Sequence, residues 1–191
     1  MFLKGERCYT KCALDKKRGK NVPGKQGQGS MRSKMSEYAI RLREKQKARR
    51  IYGLTEEQFR HYYSIAERKK GLTGDTLLKL LELRLDNVVY RVGFFPSRRL
   101  ARQMVNHGLI SVNGKKVDLP GYQLKAGDKI AIKDKLKENV YIKKAVENPV
   151  KCPSWLSFDK DACSGTVVSV PMAEEYSHPI NSQLIVELYS K

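Results

Sequence analysis

The spacing of apolar residues changes at Gly108, and that change limits the folds open to this chain. Before it, apolar positions recur at helical intervals. After it, Ile110-Ser111-Val112-Asn113-Gly114-Lys115-Lys116-Val117 alternates about an Asn-Gly pair, the strongest short-range hairpin signal. A helix-period pattern does not settle as a strand, nor the reverse. Helices followed by strands make an α+β chain: a helical amino-terminal part leading into a small, mostly antiparallel sheet.

The helical part divides by its stop and start signals. Ser36 is a good N-cap and Gly53 a good stop, which predicts a helix over 36–52. On a helical wheel Arg41, Lys45 and Arg49 fall on one side, and Arg43, Lys47 and Arg50 on the other. A helix that is polar all round has little face to bury in protein. Six like charges at helical spacing also repel. The plain alternative is a solvated helix; too few acids to offset the repulsion favours contact with phosphate. Thr55-x-x-Gln58 is a capping box opening a second helix through Phe59, Tyr62, Tyr63, Ile65 and Ala66, whose aromatics belong to a core. Thr73 or Asp75 should cap a third, where Leu77, Leu78, Leu80, Leu81 and Leu83 mark burial. Asp86 should cap a short helix ended by Gly93, and is more naturally a cap than a catalytic acid.

Ser97 caps the next helix, Arg98 to His107. Leu100, Ala101, Met104 and Val105 form its dry face; Arg98, Arg99, Arg102, Gln103, Asn106 and His107 form its wet face. A solvated face ordinarily mixes signs, and every ionisable group on this one is a base, which favours an anion-facing helix. Further on, Lys125–Asp128 forms a turn before a strand at Lys129–Ile132. A mixed helical stretch covers 134–147, and Trp155 is a core residue. Thr166–Val170 and Leu184–Tyr189 are expected as strands closing the sheet as its outer members.

Charge indicates the partner. The 191 residues carry 38 Lys and Arg against 20 Asp and Glu, a net +18. The excess is uneven: sixteen bases and four acids in residues 1–50, but three bases and five acids in 151–191. Such a gradient points one end at a polyanion, most often nucleic acid. Residues 13–35 combine basic groups with Gly and Pro and few large apolar residues. They read either as a solvated linker or as an arm that orders on RNA, and charge favours the arm. No apolar run approaches the roughly 20 residues of a membrane-spanning helix, and residues 1–5 hold no signal-peptide core, so no membrane partner is expected. Cys8 and Cys12 are half of a four-ligand zinc site; Cys152 and Cys163 stand alone, and His61, His107 and His178 show no ligand spacing. Free thiols in a reducing cytoplasm are the simpler reading.

Three runs carry a family resemblance. They are Arg84-Leu85-Asp86-Asn87-Val88-Val89-Tyr90-Arg91-Val92-Gly93-Phe94; Ser97-Arg98-Arg99-x-Ala101-Arg102-Gln103-x-Val105-x-His107-Gly108; and Ile110-x-Val112-Asn113-Gly114-Lys115-Lys116-Val117. Together they resemble the S-four family of the bacterial small ribosomal subunit, with 84–133 similar to the RNA-binding module named after it. Tyr38–Lys47, Arg50-Ile51-Tyr52-Gly53 and the ending Glu187-Leu188-Tyr189-Ser190-Lys191 extend the resemblance over essentially the whole chain.

The resemblance implies a structural constituent that binds 16S rRNA early and directly, nucleates assembly of the subunit body, and influences decoding accuracy. It implies protein S-five and other small-subunit proteins as neighbours, a place on the path along which mRNA enters, and in some members repression of their own mRNA leader. It places the chain in the cytoplasm, bound to the ribosome. Members usually begin with a further basic segment that in many supplies a second Cys pair for zinc, whereas this chain starts at the Cys8–Cys12 pair. A metal is expected only with an upstream pair, and no other cofactor.

The organisation expected is a basic extended arm (1–35), a helical domain (36–83 with parts of 134–191), the module (84–133), and a carboxy-terminal segment (134–191) packing back. RNA contacts are expected from Lys4, Arg7, Arg32 and Lys34 of the arm, and from Arg41, Arg43, Lys45, Lys47, Arg49 and Arg50 of the first long helix. The module should add Ser97, Arg98, Arg99, Arg102, Gln103 and His107, with Lys115 and Lys116 from the hairpin; Tyr122 of the module and Tyr9 of the arm are candidate stackers. An RNA-modifying enzyme carrying such a module would need a separate catalytic domain, and residues 134–191 are too few; no paired carboxylates, nucleophile elbow or phosphate loop stands in the chain. A translational repressor would use the same surface.

Overall fold

The computed structural model describes residues 3–5, 7–11, 36–147, 152–176 and 178–190. A single helical turn, α1 (Arg7–Thr10), precedes α2 (Glu37–Tyr52). The Ser36 hydroxyl accepts from the Ala39 amide at 3.3 Å, and Gly53 closes α2 with a left-handed φ of 66° that a residue with a Cβ would adopt only at a cost. In α3 (Glu56–Arg68) both halves of the Thr55–Gln58 capping box form. The next helix, α4 (Thr73–Glu82), has neither expected cap. Its N-cap is Leu72, with no side-chain bond, and Asp75 sits in the first turn, where a carboxylate suits the helix dipole. There Asp75 pairs with Lys79 at 2.8 Å and accepts from the Tyr176 hydroxyl at 2.6 Å.

Arg84 occupies the N-cap of α5 (Leu85–Arg91), so Asp86 lies inside the first turn and caps nothing. It anchors arginines instead. After α6 (Arg98–Asn106) the period changes as the sequence requires: β1 (Ile110–Val112) turns through Asn113 and Gly114, with φ 50° and 78°, into β2 (Lys115–Lys116). Positive φ at both central residues matches the twist of the flanking strands. Then follow β3 (Lys129–Ile132), α7 (Asp134–Lys137), α8 (Val140–Glu147), β4 (Leu156–Asp159), β5 (Ser164–Val167) and α9 (Ser182–Tyr189). The sheet runs β2-β1-β3-β5-β4, every pair antiparallel.

Two expectations about the tail fail. The strand expected at 166–170 begins at Ser164, ends at Val167 and lies inside the sheet; the outer member is β4. Leu184–Tyr189 is helix, not strand. The Asn181 side chain accepts from the amides of Gln183 and Leu184, and this cap, with the burial of Ile185, outweighs the strand preference of Ile185 and Val186.

Apolar burial falls into two clusters. One joins Ala48, Ile51, Phe59, Leu77, Leu81 and Ile185 from α2, α3, α4 and α9. The other joins Leu85 and Val88 of α5, Val105 of α6, the strands and Trp155, which is fully buried as expected. The tail therefore serves both clusters. Buried polar groups tie the two together: Glu82, with no exposed surface, accepts from the Tyr52 hydroxyl at 2.8 Å and from Asn87 Nδ2 at 2.6 Å. These bonds offset the cost of burying that carboxylate.

The cations of α2 are not left to repel one another, as the isolated helix suggested. Acids of α2 itself and of two other helices meet them. Arg41 reaches Glu187 of α9 at 2.8 Å and Glu37 at 3.2 Å; Lys45 and Arg49 reach Glu56 at 2.6 and 3.1 Å; Lys47 reaches Glu44 at 3.0 Å. Nor is α2 without a buried face, since Ala48, Ile51 and Tyr52 are all buried. Tyr189 stacks on Tyr63 at 4.4 Å and hydrogen-bonds to Glu56 at 3.1 Å, which binds α9 to the same junction.

Burial pushes the Glu56 carboxyl up, but the hydrogen bond and charge of Lys45, with Tyr189 and Arg49, outweigh it and hold it below the ordinary value. Because the folded value is the lower one, this contribution is complete above the ordinary carboxylate value and is lost as pH falls through the folded value. Glu56→Gln should therefore lower the urea midpoint at pH 7. The gap to the parent should narrow as pH falls below the ordinary carboxylate value. A gap that does not narrow on acidification would contradict the arrangement.

Candidate nucleic-acid interface

The carboxy end of α2 and the start of α6 face each other across a groove of about 410 Å³. Five arginines line it: Arg49 and Arg50 from α2, and Arg98, Arg99 and Arg102 from α6. The two basic helices, some fifty residues apart in sequence, thus share one concave surface. The amino end of the chain closes the rim with Leu3 and Gly5. Gly5 is required there: its φ is 62°, and a Cβ would stand 2.5 Å from the Pro96 carbonyl oxygen.

Three of these arginines are held, each differently. Arg98 Nε donates to Asn87 Oδ1 at 2.7 Å, and its guanidinium lies over the rings of Tyr90 and Tyr52, 4.5 and 5.4 Å from their centroids. Such stacking fixes the plane of a cation. Asn87 in turn hangs from buried Glu82, so the orientation of Arg98 traces to a carboxylate in the interior. Arg102 donates to Asp86 Oδ2 at 3.2 Å. Asp86 also takes both prongs of Arg84, at 3.1 and 3.0 Å. Burial works against the Arg84 cation, but the charge and hydrogen bonds of Asp86, then of Tyr62, more than compensate and raise its already high value. Arg49 is shared with Glu56.

Arg50 and Arg99 differ from these three. Both are exposed, and neither pairs with another described residue. They are the groove's uncommitted charges. The groove's field registers on His178, which also lines it: burial first, then the charge of Arg98, pushes its imidazole below the ordinary histidine value.

Other expected contacts lie elsewhere. Ser97 caps α6, its hydroxyl accepting from the Leu100 amide at 3.4 Å, which leaves a helix N-terminus at the groove's edge. Gln103 on α6, His107 at its C-cap, and Lys115 and Lys116 on β2 are exposed, outside the groove lining. Arg41, Lys45 and Lys47 are drawn into the ion pairs between helices, while Arg43 stays exposed. Lys4, Arg7 and Tyr9 are exposed near the amino end. Arg32, Lys34 and Cys12 lie outside the described residues. The sequence reading missed Tyr52, Asn87 and Tyr90 as supports for Arg98, and Asp86 as the counter-charge of Arg102.

The described residues offer no set of zinc ligands. Cys8 is a free thiol whose sulfur meets the Lys4 amide at 3.3 Å, and among the described residues no group of three or more His, Cys, Asp or Glu could hold a metal ion. Among those residues, too, no helix is long and apolar enough to cross a membrane.

Fixed guanidinium forks around a concave, positively charged surface suit a run of phosphates. Helices feeding an antiparallel sheet, with such a groove at the junction, define an α+β protein shaped for a polyanion. Residues 1–82 match the family model described as ribosomal protein S4/S9 N-terminal domain, and residues 83–130 match the S4 domain. The chain is 64% identical over 192 residues to small ribosomal subunit protein uS4 of Endomicrobium trichonymphae, spanning all of this chain and 91% of the relative. It is 53% identical over 194 residues to uS4 of Citrifermentans bemidjiense and 54% over 192 to uS4A of Clostridium botulinum, with the same coverage. The chain belongs to the uS4 family of small ribosomal subunit proteins.

Proposed function

We propose that this protein is a structural constituent of the small ribosomal subunit that binds folded 16S rRNA directly, through phosphates and shape. Binding at the junction of its two apolar clusters would let one protein hold several RNA helices together early, nucleate assembly of the subunit body and contribute to decoding accuracy. The observation that carries this reading is the convergence of Arg49, Arg50, Arg98, Arg99 and Arg102 on one groove. Duplex RNA hides its base edges in a deep, narrow groove, so a protein meeting it reads backbone and shape, which is the chemistry arginine forks supply. No reaction is assigned to the chain. Its place is on the ribosome, beside protein S-five and along the path by which mRNA enters, and its own mRNA leader is a further RNA that the same groove would suit.

The test is footprinting and filter binding of the full chain on naked small-subunit rRNA. We expect protection confined to a multi-helix junction. With about ten phosphate contacts, log K should fall against log salt with a slope near −7 to −9. Scattered protection, or affinity equal to that for an unrelated duplex, would overturn the proposal.

A further inference from the structure

A second cavity, of about 380 Å³, shares Arg102 with the arginine groove. Its walls are of another kind: His61 and Tyr62 of α3, Leu119 and Tyr122 of the loop after the hairpin, and the guanidinium groups of Arg84 and Arg102. The loop is pinned on all sides. The Leu85 amide donates to the Tyr122 carbonyl at 2.9 Å, the Asp86 amide to the Pro120 carbonyl at 3.2 Å, and the Tyr62 hydroxyl to the Gly121 carbonyl at 3.3 Å. Yet this fixed shelf leaves Leu119 65% and Tyr122 41% exposed. Single exposed apolar side chains are ordinary. Two on a rigid turn, facing a cavity with two cations in its wall, form a pocket of small-molecule size.

We propose that this pocket receives one unstacked nucleobase of the RNA whose phosphates lie in the arginine groove. The inference rests on the RNA reading above and specifies what that site takes. Three features carry it. The pocket and the groove both border Arg102, and a base is necessarily tethered to its phosphate, so the two subsites must adjoin as these do. Its accessible wall offers the aromatic surface of His61 and Tyr122 and the half-buried guanidinium of Arg102, on which unstacked bases settle whatever their identity. Asp86 grips Arg84 at 3.1 and 3.0 Å and the Tyr62 hydroxyl accepts from it at 2.7 Å, so the floor of the pocket is formed before the base arrives.

The experiment separates stacking from charge. Phosphate contacts set the salt slope, whereas stacking on uncharged side chains does not. The full chain carrying Leu119→Ser with Tyr122→Ala should bind a small-subunit rRNA transcript about ten-fold more weakly at an unchanged slope, and Tyr122→Phe should bind like the parent. A Tyr122→Trp variant gives a second readout: the fluorescence of the introduced indole should be quenched as the transcript saturates the protein, against the constant background of fully buried Trp155. A double variant that binds like the parent, a slope that falls with the affinity, or an indole signal in the Tyr122→Trp protein that ignores RNA would each overturn the inference. A parent that fails to prefer the transcript would overturn the RNA reading itself, and is seen before any variant is made.

Discussion

Arg50→Glu combined with Arg99→Glu should leave the melting temperature of the full chain unchanged and lower its affinity for small-subunit rRNA by about 100-fold at moderate salt. The salt slope should become shallower by about two. Charge and structure separate at these two positions. Both arginines line the groove and are exposed, with no ion pair to another described residue, so folding does not depend on them. Reversing Arg98 or Arg102 would confound the result. The first would lose its stack on Tyr90 and Tyr52 and its bond to Asn87; the second would set a carboxylate against Asp86. Isothermal titration or filter binding at several salt concentrations, with a thermal melt beside it, gives all three numbers. Unaltered affinity with an unaltered slope would move the RNA face away from this groove.

The sequence held the groove's parts but not its assembly. Each basic helix was legible from its wheel, and Ser36, Gly53, Ser97 and the Thr55–Gln58 box marked their ends because caps are local chemistry. That Arg50 and Arg99 line one concavity is a tertiary fact, and no local pattern encodes it. The same blindness made α2 look repulsive: it holds only Glu37 and Glu44, while Glu56 and Glu187 arrive from other helices. The tail was misread for a different reason. Ile185 and Val186 favour strands, but intrinsic preference is weak, and the Asn181 cap was the signal that would have corrected it. The outer strand β4 was there to find: Leu156-Ser157-Phe158-Asp159 alternates as a half-buried strand should, directly after Trp155.

Asp86→Ala should cost about 3–5 kcal/mol of folding stability, the range for removing one partner of a buried ion pair. Asp86 is only 4% exposed and Arg84 2%, so deletion of the carboxylate strands the Arg84 cation with the Tyr62 hydroxyl as its remaining partner. Urea denaturation at neutral pH measures the loss. The same residue has an opposite effect on binding. Asp86 lines the groove and partly neutralises Arg102, so it subtracts from the positive field that phosphate meets. Asp86→Asn keeps one acceptor oxygen for Arg84, gives up the second to an amide N–H donor, and removes the negative charge. While the variant stays folded, its affinity for rRNA should match or exceed that of the parent, and its salt slope should steepen by about one. Lower affinity in a folded Asp86→Asn protein would mean that Asp86 serves RNA by aiming Arg102; higher affinity would mean that the carboxylate is kept for the fold. The bidentate grip on buried Arg84, against a single bond to partly exposed Arg102, favours the second outcome.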